Sequence, residues 1–191
     1  MKALSNIQQA LTKLGLDAWL LLDFRGNNSI AHEIVEMPST MHCTRRWAVL
    51  IPAKGRVQTL VHAIEDFTLA HLDANHTIYA GHAGWQHGLQ SFINAHPNIA
   101  IEYSPMNAIP TASKVDAGTV ELLRGMHAEI HSSADLLQMI AAVWSDEQLH
   151  ENLEFTAPTL GTIMQETFQE IRRSEEHTSE LQSRVDISYA V

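Results

Sequence analysis

Ala18-Trp19-Leu20-Leu21-Leu22-Asp23-Phe24-Arg25-Gly26-Asn27-Asn28 is the stretch around which the chain is organised. Five apolar residues without a polar interruption predict a strand buried on both faces, the mark of a sheet covered by helices on either side. The strand is expected to stop at Asp23. A turn follows, because Gly26 tolerates positive φ and the two asparagines can bond their own backbone. Asp23 is read first as a satisfier of that turn. Open α/β sheets hold ligands at the carboxyl ends of central strands, so Arg25, beside this end, is a candidate anion-binding residue.

Outward from this strand the sequence alternates strands and helices. Ser5 is the expected cap of a first helix carrying Ile7, Ala10, Leu11 and Leu14 on one face, with Gly15 as its stop. Beyond the turn, Ser29 is the expected cap of a short helix to Val35, ended by Pro38. Trp47–Ile51 and Val57–Val61 flank the turn Pro52-Ala53-Lys54-Gly55 and predict an antiparallel hairpin. Helical material is expected over Glu65–Leu72, a strand at Thr77–Tyr79, a helix over Trp85–Ala95 and a strand at Ile99–Ile101. Pro105 and Pro110 stiffen the next connection. Asp116 is the expected cap of a helix to Arg124 stopped by Gly125, before a strand at Ala128–His131 and a helix from Ser132 or Ser133 to Ala142. This order predicts an α/β fold: a mixed, mostly parallel sheet flanked by helices.

Composition narrows the function. The 191 residues are 45% hydrophobic, enough for a core, and carry a formal charge of −10, which disfavours nucleic acid and anionic lipid as partners. No apolar run is long enough to span a bilayer and no signal peptide is evident. The single cysteine, Cys43, can form no internal disulfide. A cytoplasmic protein is expected.

Twelve histidines invite a metal reading. His32-Glu33-Ile34-Val35-Glu36 comes nearest to a zinc helix but has glutamate where the second histidine belongs, and an exposed polar face explains it better. His82 and His87 flank Gly84 and Trp85, a pattern read as a turn, and His127 and His131 have no partner at ligand spacing. No metal site is expected in this chain. His42 beside Cys43 suggests a nucleophile and base, but neighbours in extended chain point apart, so an inert, buried or half-buried thiol is the better reading. Arg45 and Arg46 precede the second strand, and guanidinium groups bond carboxylates bidentately. Ordinary surface pairing accounts for Arg46, and Arg45 stays open between that and a binding role.

Four segments taken together resemble one family: Asp23-Phe24-Arg25-Gly26-Asn27-Asn28; Thr44-Arg45-Arg46-Trp47; Glu102-Tyr103-Ser104-Pro105 with Asn107-Ala108-Ile109-Pro110; and Val115-Asp116-Ala117-Gly118-Thr119. Their order and spacing are similar to the amino-terminal, creatinase-like domain of the pita-bread metallopeptidases, the Xaa-Pro aminopeptidases and prolidases. The resemblance implies a non-catalytic domain that lines a substrate entrance and supports a homodimer. Proline-containing peptides would be hydrolysed by a following catalytic domain, where two aspartates, a histidine and two glutamates hold two divalent metals (manganese, zinc or cobalt). It also implies that Arg45, at the position of a substrate-carboxylate arginine, is a substrate-binding residue; Arg25, in the turn after the first strand, is the second candidate, expected on the same side of the sheet.

Residues 1–144 are accordingly expected to form the creatinase-like domain and 145–172 the first helix of a truncated catalytic domain. That helix carries Leu149, Leu153, Leu160, Ile163, Met164, Phe168 and Ile171 in register, kinked or restarted at Pro158. Residues 173–191, with Arg173-Ser174-Glu175-Glu176-His177-Thr178-Ser179-Glu180-Leu181-Gln182-Ser183, look like the translation of a DNA-sequencing adapter. They hold two basic and four acidic residues, so the rest of the chain keeps a charge of −8. Whether the chain is an enzyme is left open, with inactivity expected of it alone. The alternatives are a free-standing binding or dimerisation module and a small hydrolase using His42 and Cys43.

Overall fold

The computed structural model describes residues 4–188 in backbone and 4–173 in side chain. One compact unit ends at Ala142 and a second begins at Val143. In the first, strands β1 (Ala18–Phe24), β2 (Arg46–Pro52), β3 (Gln58–His62), β4 (Asn75–Tyr79), β5 (Asn98–Ile101) and β6 (Glu129–Ser132) form one sheet in the order β4-β3-β2-β1-β5-β6. β2 pairs antiparallel with β1 and β3, and every other pairing is parallel. Five strands therefore point one way and β2 alone opposes them, the mixed, mostly parallel sheet expected.

Period-two alternation along β1 divides the core. Trp19 and Leu21 face one layer, in which α1 (Leu4–Leu14), α2 (Ser29–Val35) and α5 (Ala134–Ile140) pack through Ile7, Leu11, Ile34 and Leu136. Ala18, Leu20 and Leu22 face the other, covered by α3 (Gly81–Ala95) and α4 (Ala117–Gly125) through Leu89, Phe92 and Leu123. α3 packs close onto the sheet at Gly88, where a Cβ would stand 2.5 Å from Leu60 Cδ1 and 2.6 Å from Cδ2. Leu60 is fully buried and has little room to retreat. Gly88→Ala is expected to destabilise by about 1–3 kcal/mol through overpacking, less the ~1 kcal/mol that alanine gains as a helix former. An unchanged or higher melting temperature would show that Leu60 yields freely.

Several local expectations are corrected. β1 continues past Asp23 to Phe24, because antiparallel pairing with β2 carries on to Arg46. Ser5 lies inside α1 rather than capping it. The cap of α2 is Asn28, whose side chain accepts from Ala31 N, and Ser29 is the first helical residue. Glu65–Leu72 is no helix but a chain of tight turns, with Thr68 N donating to Glu65 O and Leu72 N to Leu69 O. Gly125 closes α4, and the left-handed conformation falls two residues later at His127, φ 67°. α5 begins at Ala134, within the span expected. Asp116 caps α4 as read, accepting from Thr119 N.

The second unit is helical. α6 (Asp146–Glu151) opens on a capping box in which Ser145 and Gln148 bond reciprocally. A π-helical turn spans Asn152–Thr156, and α7 runs Ala157–Ser188, past residue 173 without a break. The widened turn lies just before Pro158, which lacks an N–H and crowds the carbonyl four residues back. Leu153, Phe155, Leu160, Ile163 and Phe168 are exposed along this unit. No helix of the described residues is long and apolar enough to cross a membrane.

Candidate functional site

Because β2 alone is reversed, its first residues lie at the same end of the sheet as the last residues of the parallel strands. At this end two connections leave in opposite directions. The chain leaving β1 passes to α2 on one face, while the chain leaving the adjacent parallel strand β5 passes to α4 on the other. Such a reversal opens a crevice beyond the strand ends. Here it is a cleft of about 530 Å³ bounded by the β1 turn (Asp23, Asn27, Asn28), by Arg46, by the start of α3 and by the 114–119 segment. A smaller hollow of about 240 Å³, lined by Arg45, His62 and Tyr79, adjoins it, and the two share Phe24, Arg46, His82 and Trp85.

The β1 turn is built to be rigid. Asp23 Oδ1 accepts from Asn28 N at 2.8 Å and Oδ2 from Gly26 N at 3.0 Å, as the sequence reading of Asp23 anticipated. These bonds hold Arg25 and Gly26 at φ 59° and 78°. His32 Nε2 lies 3.2 Å from Asp23 Oδ2 without hydrogen-bond geometry. Asn28 uses its whole side chain: Oδ1 accepts from Ala31 N, and Nδ2 donates to Leu22 O at 2.9 Å and to Glu102 Oε2 at 2.7 Å.

Glu102 is the residue that sequence reasoning missed. It follows β5, is fully buried, and its other oxygen accepts from Trp19 Nε1 at 2.6 Å. Burial pushes its carboxyl up to about 7, against the opposing pull of the hydrogen bonds from Trp19 and Asn28. The Ser133 hydroxyl makes no hydrogen bond of its own but lies close enough to favour the charged form. The Glu102 carbonyl accepts from Lys114 N and Val115 N at 2.9 and 3.0 Å. Both walls of the cleft are thus tied to one buried acid. Only its place between a strand ending in Ile101 and a proline-rich connection hinted at this in the sequence.

Arg25, Arg45 and Arg46 are all exposed. Arg46 faces Phe24 across the β1–β2 ladder, so register places it on the crevice side, and it borders both hollows. Arg45 borders only the smaller one, and Arg25 borders neither. The Arg45 guanidinium contacts the Thr44 hydroxyl at 3.4 Å. Glu65 binds the backbone here instead, accepting from Thr44 N and Arg45 N. Burial pulls the Glu65 carboxyl upward, but these hydrogen bonds and that of the Thr44 hydroxyl outweigh it and hold it below its ordinary value. Arg45 is therefore not locked in a buried pair with a structural acid.

The other sequence readings find their places. His82 and His87 lie on α3, not in a turn. Cys43 is buried against the Thr68 hydroxyl, and burial pushes its thiol up, while the His42 ring nitrogen contacts the Thr40 carbonyl. That arrangement offers no activated nucleophile. Among the described residues no three His, Cys, Asp or Glu side chains converge to hold a metal ion.

No family model and no curated protein matches the sequence. Solved structures do. The chain is similar to a dipeptidase from Pyrococcus horikoshii OT3, with a TM-score of 0.56 and 11% identity over 75% of this chain and 37% of that one. It is similar to the creatinase/prolidase N-terminal domain of an X-Pro dipeptidase from Streptococcus pyogenes, with a TM-score of 0.52 and 12% identity over 71% of this chain and 95% of that one. A proline dipeptidase chain from Streptococcus pneumoniae TIGR4 gives a TM-score of 0.53 and 16% identity over 75% of this chain and 100% of that one. The chain thus spans little more than a third of the Pyrococcus protein and nearly the whole of the isolated domain. The likeness is one of fold: the sheet and its helices are those of a creatinase/prolidase amino-terminal domain.

Proposed function

We propose that this chain supplies the amino-terminal, non-catalytic domain of a Xaa-Pro metallopeptidase of the prolidase or aminopeptidase P type. The observation that carries the reading is the likeness to an isolated amino-terminal domain over 95% of that domain's length. The four sequence landmarks and the exposed apolar side chains of α6 and α7, which suit a following domain, support it. In this reading the strand-end surface lines a substrate entrance, Arg45 meets the carboxylate of a proline-containing peptide, and the domain takes part in a homodimer. Hydrolysis, with its pair of divalent metals, belongs to a separate domain.

The test is to recover the coding sequence that follows Arg172 in the source genome and to express the joined chain. Two aspartates, a histidine and two glutamates are expected there, with manganese-, zinc- or cobalt-dependent hydrolysis of Xaa-Pro dipeptides. A continuation without those ligands, or metal-dependent turnover by the present chain alone, overturns the reading. In the joined enzyme, Arg45→Ala should lower kcat/KM roughly ten- to hundred-fold for a dipeptide with a free carboxylate and leave its amide unaffected, since one charge-assisted bond contributes about 1.5–3 kcal/mol. Equal losses on both substrates would leave Arg45 a structural residue.

A further inference from the structure

We propose that the crevice between the ends of β1 and β5 is itself a ligand site, which takes a compact oxyanion, carboxylate or phosphate, carried on a flat apolar body, with Arg46 and Lys114 as its two cationic contacts. This stands apart from the peptidase reading, since it needs neither a catalytic domain nor Arg45.

The polar groups around the crevice divide into spent and unspent. Asp23 has its oxygens engaged by Gly26 N and Asn28 N, and Asp116 has its own engaged by Thr119 N at 3.0 Å and Thr119 Oγ1 at 2.6 Å. Those bonds, foremost the one from the Thr119 hydroxyl, hold the Asp116 carboxyl below its ordinary value. Each oxygen of both acids thus already accepts a donor from its own turn or helix cap. The Arg46 guanidinium and the Lys114 ammonium, by contrast, pair with no carboxylate among the described residues, although the chain carries ten more acidic than basic side chains.

Geometry makes them converge. Arg46 begins β2 and Lys114 follows β5, and these strands flank β1 on opposite sides. Lys114 N donates to the Glu102 carbonyl just beyond β5, and both side chains line the one cleft at the end of β1. The start of α3 closes the third side with His82, Trp85 and Gln86. Phe24, Val115 and Leu122 supply apolar surface beside these donors, and about 530 Å³ accommodates a small organic anion.

Titration of the ¹⁵N-labelled full chain at low ionic strength with benzoate, phenyl phosphate, inorganic phosphate and benzyl alcohol tests this. Benzoate or phenyl phosphate should shift the Asn27, Gly118 and Thr119 amides saturably, the tighter of the two naming the anion. Inorganic phosphate should bind more weakly for want of apolar contact, and benzyl alcohol should leave these amides in place. Arg46→Gln and Lys114→Gln should each weaken binding roughly ten- to hundred-fold. Lys54→Gln, at the far end of the sheet in the β2–β3 turn, should leave it unchanged. Both crevice residues are exposed, and the dispersion of each variant's spectrum verifies its fold. No saturable shift with either aromatic anion, equal response to benzyl alcohol, or unaltered affinity in both crevice variants would overturn the proposal.

Discussion

Replacing Glu102 by alanine should lower stability by about 3–5 kcal/mol. Glu102 has no exposed surface and receives hydrogen bonds from Trp19 Nε1 and Asn28 Nδ2, both buried. Truncation strands two donors that water cannot reach, at roughly 1–3 kcal/mol each, and leaves a void beside them. Removing one partner of a buried charged network falls in the same range. Denaturant midpoints of the variant and the parent measure it, and a loss below 1 kcal/mol would mean that the Trp19–Asn28–Glu102 contact carries little of the fold.

The same residue makes stability depend on pH in a definite direction. Burial raises the carboxyl from 4.5 to about 7, so between these values the folded chain holds a proton that the unfolded chain releases. Stability from this group is complete below pH 4.5 and is lost as pH rises through 7. At ~1.4 kcal/mol per pKa unit, the loss across that window is on the order of 3 kcal/mol. Asp116 and Glu65, whose carboxyls are held low, give the opposite slope at more acidic pH. Glu102→Gln isolates the effect: the parent's stability relative to this variant should decline between pH 4.5 and 7. Parallel curves for the two proteins would rule out titration of Glu102 in that window.

Asp23→Ala is expected to cost about 2–4 kcal/mol and to loosen the crevice wall. Its carboxylate is wholly buried and anchors two backbone amides of a turn that holds Arg25 and Gly26 at positive φ. Without it the amides of Gly26 and Asn28 lose their acceptors, and the non-glycine residue at φ 59° loses its constraint. Asp23→Asn should fall between, since an amide keeps one acceptor oxygen but turns N–H groups toward another N–H. Hydrogen exchange reads the local part: Gly26 and Asn28 should lose protection well before the centre of β1. Retained protection at these two amides in the alanine variant would show that the turn is held by its other contacts.

The chain's own letters determine whatever depends on near neighbours. The apolar run of β1, the Pro52–Gly55 turn between β2 and β3, the cap at Asp116 and the stop at Pro97 all follow from residues a few positions apart, where side-chain spacing and backbone preference act directly. The widened helical turn before Pro158 is of this kind too, and so is Asp23, whose partners lie three and five positions on.

What only the tertiary structure decides depends on residues far apart. Glu102 reads as a connector until Trp19, 83 positions away, and Asn28, 74 away, close around it. Arg46 rather than Arg45 borders both hollows because β2 pairs with β1 in a register that sets Arg46 opposite Phe24, and a slip of one residue would exchange their faces. Lys114 gains meaning only when β5 is laid beside β1, across the middle of the sheet from β2. The turns of Glu65–Leu72 keep a helical pattern of letters but not a helix, because Thr68, Leu69 and Leu72 are each drawn into the core and Glu65 folds back to the Thr44 and Arg45 amides. Burial and register are properties of the assembled sheet, and they bring Arg46 and Lys114 to one crevice from distant parts of the sequence.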